Sequence, residues 1–115
     1  MKILSKSEIL EADDLPRELV EVPEWGGALY VRTMTGSERD AFEAAILGKN
    51  NAGFKNIRAR LTALTTTDEA GNRLFEEGEV DALGKKSAAA LDRVFSVAQR
   101  LNSMTQQDVE DLEKN

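Results

Sequence analysis

Acid pairs such as Asp13-Asp14, Asp68-Glu69 and Glu76-Glu77 are the residues here whose type and spacing come nearest to chemistry. Two neighbouring carboxylates can share proton-transfer work or hold a divalent cation. Neither use is supported by the rest of the chain. The sequence has no histidine and no cysteine, which removes the usual general base, the commonest metal ligand and any thiol nucleophile or disulfide. The D-x-[DN]-x-[DN]-G spacing of a calcium loop does not occur. Gly26-Gly27 is not followed by the G-K-[ST] of a phosphate loop. The acid pairs read instead as loops and helix N-termini, where negative charge is favourable. No enzyme, no cofactor and no metal are expected.

The remaining charge is unevenly placed. The net charge of the 115 residues is −6, of which residues 1–24 carry −4, residues 25–102 carry +1 and residues 103–115 carry −3. Acidic ends keep proteins apart, and they also steer a basic partner. Lys49, Lys55, Arg58 and Arg60 form the most basic local stretch. Such a stretch either pairs with nearby acids on a solvated face or contacts an acidic partner or phosphate. Nucleic-acid binding by the whole domain wants a broader basic footprint than this. The opening MKILSKSEILEADD places acids where a signal peptide would continue its apolar run, and no stretch approaches about 18 apolar residues. A cytoplasmic protein with no membrane contact is expected.

The elements that would position any surface are legible. Residues 84–102 carry the strongest helical period. At about 100 degrees per residue from Leu91, the side chains of Ala90, Leu91, Val94, Phe95, Val97, Ala98 and Leu101 fill one half of the wheel. Asp92, Arg93, Ser96, Gln99 and Arg100 fill the other. Ser87 offers a start and Asn102 a left-handed end. An arc wider than one neighbour needs predicts that several elements pack on this helix, with Leu91, Phe95 and Ala98 buried.

Residues 1–18 read as an arm with one helical turn capped by Ser5 or Ser7. It would dock only through Ile3, Leu4, Ile9 and Leu10, and Asp13, Asp14 and Pro16 break it. Residues 19–34 read as a β-hairpin whose Gly26-Gly27 pair supplies the positive φ angles of the turn, with Pro23 marking an edge strand. Trp25, the only tryptophan, either covers the hairpin and core or anchors a partner. Thr35-Gly36-Ser37-Glu38 is a capping box that opens a helix to about Leu47 burying Phe42, Ala45 and Ile46. After a loop at Lys49–Gly53, a second helix from Phe54 presents Phe54, Ile57, Leu61 and Leu64. Thr65-Thr66-Thr67 favours extended backbone. The stretch to Phe75 is either a small hairpin or a loop pinned by Leu74 and Phe75. Glu76 to Leu83 is a short helix, and residues 103–115 form a last helix with Val109 and Leu112 as its apolar positions. So short a helix is marginal alone and must dock on something. The fold class is therefore α+β: one mainly helical domain, with an N-terminal β-hairpin packed beside a helix bundle.

Four segments, EVPEWGGALYVRTMTGSERDAFE (21–43), IRARLTAL (57–64), GNRLFEE (71–77) and ALGKKSAAALDRVFSVAQRLN (82–102), resemble the tail assembly chaperones of long-tailed bacteriophages. The likeness runs from about Ser5 to the end of the chain. It lies in a pattern of segments and in no catalytic signature. The resemblance implies a non-catalytic protein of the host cytoplasm, absent from the finished particle. It would bind the tape measure protein and help recruit tail tube subunits. Such proteins commonly have a longer form made by programmed ribosomal frameshifting, and Glu113-Lys114-Asn115 can be encoded by GAA AAA AAC, which contains the slippery run A AAA AAC. Self-association and partnership with the longer form are further expectations. The family pattern leads one to expect a serine or threonine at the start of the helix after Phe75, which Glu76-Glu77-Gly78 lacks. Trp25, Tyr30, Val109 and Leu112 are the candidate partner-binding residues, chosen as apolar groups at a hairpin and on a marginal terminal helix. Competing readings are a small phage or plasmid nucleic-acid-binding regulator, and a structural tail or connector component.

Overall fold

A computed structural model describes residues 1–46 and 56–103. Within them the predicted hairpin forms. Strand β1 (Arg17–Val22) pairs antiparallel with β2 (Gly27–Arg32), in a register running from Val22↔Gly27 to Arg17↔Arg32. One turn of 3-10 helix, Pro23–Trp25, joins them. Gly26 closes that turn at φ 74°, a left-handed conformation that costs glycine little. The sequence predicts positive φ for the Gly26-Gly27 pair. Only Gly26 adopts it, and Gly27 already belongs to β2. A third strand, β3 (Thr66–Thr67), pairs with β2 through Tyr30↔Thr67 and Val31↔Thr66. The sheet order is β1-β2-β3, so β1 is an edge strand, as Pro23 at its end predicts.

The helices are α1 (Lys6–Glu11), α2 (Gly36–Ile46), α3 (Ile57–Thr65), α4 (Val80–Leu83) and α5 (Ala88–Leu101). Helix α5 packs on α3, β1, β2 and the hairpin turn, which agrees with its wide apolar arc. Ala90, Leu91, Val94 and Ala98 are buried. Phe95 is not: it is half-buried, as are Val97 and Leu101. The buried positions span about 100 degrees of the wheel, the ordinary width of a core-facing stripe. Phe95 and Val97 lie on its flanks. The helix most fully enclosed is α3, where Ala59, Leu61, Thr62, Ala63, Leu64 and Thr65 are all buried among α5, α4, α2 and β2. Its position shapes two joined cores. The larger gathers Val20, Val22, Val31, Phe42, Ile46, Leu61 and Val94, together with Met34, Leu64, Ala90 and Ala98. The second gathers Ala59, Ala63, Val80, Leu83 and Leu91.

The three threonines after Leu64 do more than favour extended backbone. Thr65 and Thr66 donate their hydroxyls to the Leu61 and Thr62 carbonyls at 2.8 and 2.9 Å. These bonds satisfy polar atoms inside the core while the chain turns from α3 into β3. A minimal hairpin follows, with one bridge between Thr67 and Arg73 around a turn in which Asp68 accepts the Asn72 N–H at 2.9 Å. Leu74 is 43% exposed and holds this stretch through its backbone N–H, which donates to the Thr66 carbonyl at 3.1 Å, while the Phe75 side chain packs on the second core. The short helix begins as a 3-10 turn, Glu77–Glu79, that runs into α4. In place of the expected serine or threonine, the Glu79 carboxylate accepts the Glu76 N–H at 2.9 Å. Gly84 ends α4 where space is short, since a Cβ there would lie 2.6 Å from Asn56 Oδ1.

Both predicted capping devices near the N-terminus are present. Ser5 and Glu8 exchange bonds at 3.1 and 3.2 Å, and Thr35 and Glu38 at 2.9 and 3.1 Å. Asn102 does not take a left-handed conformation: its φ is −93°, and the positive angle falls on Ser103. The Asn102 side chain ends the helix instead, donating to the Ala98 carbonyl at 2.8 Å. The helix expected at 103–115, the loop at Lys49–Gly53 and Phe54 lie outside the described residues.

Candidate interaction surfaces

Four candidate contact residues come from the sequence, and the structure describes two. Val109 and Leu112 lie outside the described residues. Trp25 sits in the hairpin turn, half-buried, and packs against both core clusters. Its ring therefore serves the core and also remains reachable. Tyr30 lies on another surface. It stands opposite Leu19 in the sheet register, on the face away from buried Val20 and Val22. The Arg17 guanidinium rests 4.0 Å from the centre of its ring, a favourable cation–π contact. Leu19 beside it is 57% exposed. The structure thus separates Trp25 and Tyr30 into a turn site and an open sheet face.

The turn site is a cavity of about 380 Å³ lined by Trp25, Phe75, Glu79, Ala82, Leu83 and Lys86. Its floor is core: Leu83 is buried. Its aromatic members are half-buried. Sequence periodicity could not find it, because Trp25 and Phe75 lie far apart in the chain and belong to no common element. A second hollow, at the root of the arm, is lined by Asp13, Leu15, Pro16, Arg17 and the loop 69–71. There Arg17 Nη1 donates to the Glu69 carbonyl at 2.6 Å.

The arm itself departs from expectation. Ile3, Leu4, Ile9 and Leu10 do not dock on the domain. They are 87, 57, 56 and 74% exposed, and α1 has no buried residue. Capping therefore shapes this helix, and packing against the domain does not. Most of the large apolar side chains that the described residues leave in solvent belong to this arm.

Electrostatics accounts for the basic stretch and part of the acidic end. Arg58 donates to Asp92 at 2.5 Å and Arg60 to Glu77, so both described arginines of that stretch face acids. Lys49 and Lys55 are outside the described residues. At the other end, Arg93 holds Glu24 at 2.8 Å and Arg100 holds Glu18 at 2.6 Å, which ties α5 to the hairpin. The backbone N–H at Glu24 and the Arg93 guanidinium hold the Glu24 carboxyl below the usual range. Glu18 in turn pushes the Arg100 guanidinium up. The most enclosed of these pairs is Arg32–Glu38, bidentate at 2.8 and 2.9 Å. Burial there pushes the Glu38 carboxyl up, but the bonds from Arg32 and from the Thr35 N–H outweigh it and hold the group below its ordinary value. Among the described residues, no three of the acidic side chains stand close enough together to hold a metal ion, and no helix is long and apolar enough to cross a membrane.

No protein-family model matches the sequence, and no curated protein matches it. The fold does have a solved counterpart, the tail assembly chaperone of bacteriophage HK97. The two superpose with a TM-score of 0.63 at 16% sequence identity, over 83% of this chain and 94% of that one. The likeness is one of fold.

Proposed function

We propose that this chain is a phage tail assembly chaperone that binds the tape measure protein and keeps it soluble until the tail tube forms around it. The observation that carries the reading is the shared fold with the HK97 tail assembly chaperone, which extends over nearly all of that protein. It is joined by the resemblance of four sequence segments to the same kind of protein. The surface supports the reading as well: the described residues leave Ile3, Leu4, Ile9, Leu10 and Leu19 in solvent. A tape measure protein is long and helical, with apolar stripes that drive aggregation when left in water. Several copies of the chain cover those stripes through contacts that are individually weak, because tube subunits must later displace them. Avidity along one long client holds the copies in place. The role is non-catalytic and belongs to the host cytoplasm, before the particle is complete.

Co-expression with the tape measure protein of the same tail gene cluster tests this. The soluble, co-purifying fraction of the tape measure protein is expected to rise when this chain is present. No rise, with the longer frameshifted form also supplied, contradicts the proposal.

A further inference from the structure

The cavity at Trp25 has a shape and a charge pattern that the chaperone reading does not by itself specify. Trp25, Phe75, Ala82 and Leu83 give it apolar walls, and its two charged members are Glu79 and Lys86. Glu79 immediately precedes α4 and Lys86 follows it after the Gly84 turn. Four helical residues advance about 6 Å, so the rim is acidic at one end of α4 and basic at the other. Among the described residues, neither Glu79 nor Lys86 makes an ion pair, although one Glu79 carboxylate oxygen accepts the Glu76 N–H at 2.9 Å.

This polarity complements an α-helix, whose N-terminus carries partial positive charge and whose C-terminus carries partial negative charge. The volume falls at the small end of ligand pockets. Its polar groups stand at the two ends and do not converge on one point, which suits a segment laid across the cavity better than a small molecule held within it. Tryptophan is also among the residue types that dominate binding energy at protein interfaces. We propose that this cavity seats an amphipathic helical segment of the protein client. A large apolar side chain of that segment enters between Trp25 and Phe75, with the segment's N-terminal side toward Glu79 and its C-terminal side toward Lys86. Helix-in-groove recognition of this kind reads apolar anchors at i, i+3 or i+4. The identity of the client rests on the chaperone reading; the location of its seat rests on the cavity.

The test uses the full chain co-expressed with the tagged tape measure protein, with the amount of chain retained as the readout. Ala82 is exposed at the rim, so Ala82→Arg fills the cavity without entering the core. Phe75→Ser removes one wall. Ala44→Arg, on the exposed side of α2, is the control. Thermal midpoints establish that each variant is folded. Retention is expected to fall at least tenfold for Ala82→Arg and for Phe75→Ser, and to stay at the wild-type value for Ala44→Arg. Retention of both cavity variants at the wild-type level overturns the cavity proposal and leaves the chaperone reading intact. Absence of retention for the wild-type chain overturns both.

Discussion

Asn102 Oδ1 accepts the backbone N–H of Met34 at 2.7 Å, so the end of α5 is fastened to the strand-to-helix junction before α2. The same side chain donates to the Ala98 carbonyl, and the Asn102 carbonyl accepts from Arg39 Nη1 at 3.1 Å. One residue therefore joins the C-terminus of α5 to two points around α2. Asn102→Ala leaves the Met34 N–H without its partner in a half-buried place, at a cost of about 1–3 kcal/mol. Urea denaturation measures it. A change below about 0.5 kcal/mol, the range of ordinary surface substitutions, contradicts the fastening role.

The Arg32–Glu38 pair makes stability depend on pH in a defined direction. The folded Glu38 carboxyl titrates below its unfolded value, which is about 4.3. Its contribution is therefore complete above that value and is lost as pH falls through the folded one. Glu38→Gln is expected to destabilise the domain at pH 7 by about 1–3 kcal/mol, and to flatten the acid limb of the stability profile. An unchanged acid limb in the variant assigns that limb to other carboxylates.

Burial along α5 predicts unequal costs. Leu91 is 4% exposed and closes the second core, so Leu91→Ala costs about 2–5 kcal/mol. Phe95 is larger but lies on the flank of the buried stripe. Phe95→Ala is expected to cost less than Leu91→Ala despite removing more atoms. Chemical denaturation of the two variants side by side checks the order, and the reverse order refutes the packing described.

The arm is expected to be dispensable for stability. No side chain of α1 is buried, so the double substitution Ile9→Ser, Leu10→Ser should move the unfolding free energy by less than about 0.5 kcal/mol. A larger loss would mean that these side chains rest on the domain in solution.

Much of the architecture could be read from local signals. The serine cap of α1, the capping box at Thr35, the hairpin around Gly26 and the helical period from Ala88 to Leu101 each depend on residues close in sequence. Contacts made across the chain were not legible. Thr66 and Thr67 extend the sheet because α3 delivers them beside β2, and no pattern within the threonine run reveals that partner. Phe95 looked buried because a helical wheel gives direction but not the width of the neighbour. The arm looked dockable because Ile9 and Leu10 are apolar, yet apolarity does not supply a surface to dock on. The cavity depends on bringing Trp25 to Phe75, which the folded chain alone accomplishes. Tyr30 is a candidate contact residue from the sequence, but its contact with Arg17 crosses the sheet and has no sequence signature.

The central claim is that this chain keeps an aggregation-prone helical client in solution. The most direct measurement is light scattering after denatured tape measure protein is diluted into buffer with increasing amounts of the purified chain. Scattering is expected to fall as the chain is added and to level off when several copies are present per client. Scattering that stays at the level of the client alone, at every ratio up to a large excess of folded chain, contradicts the account.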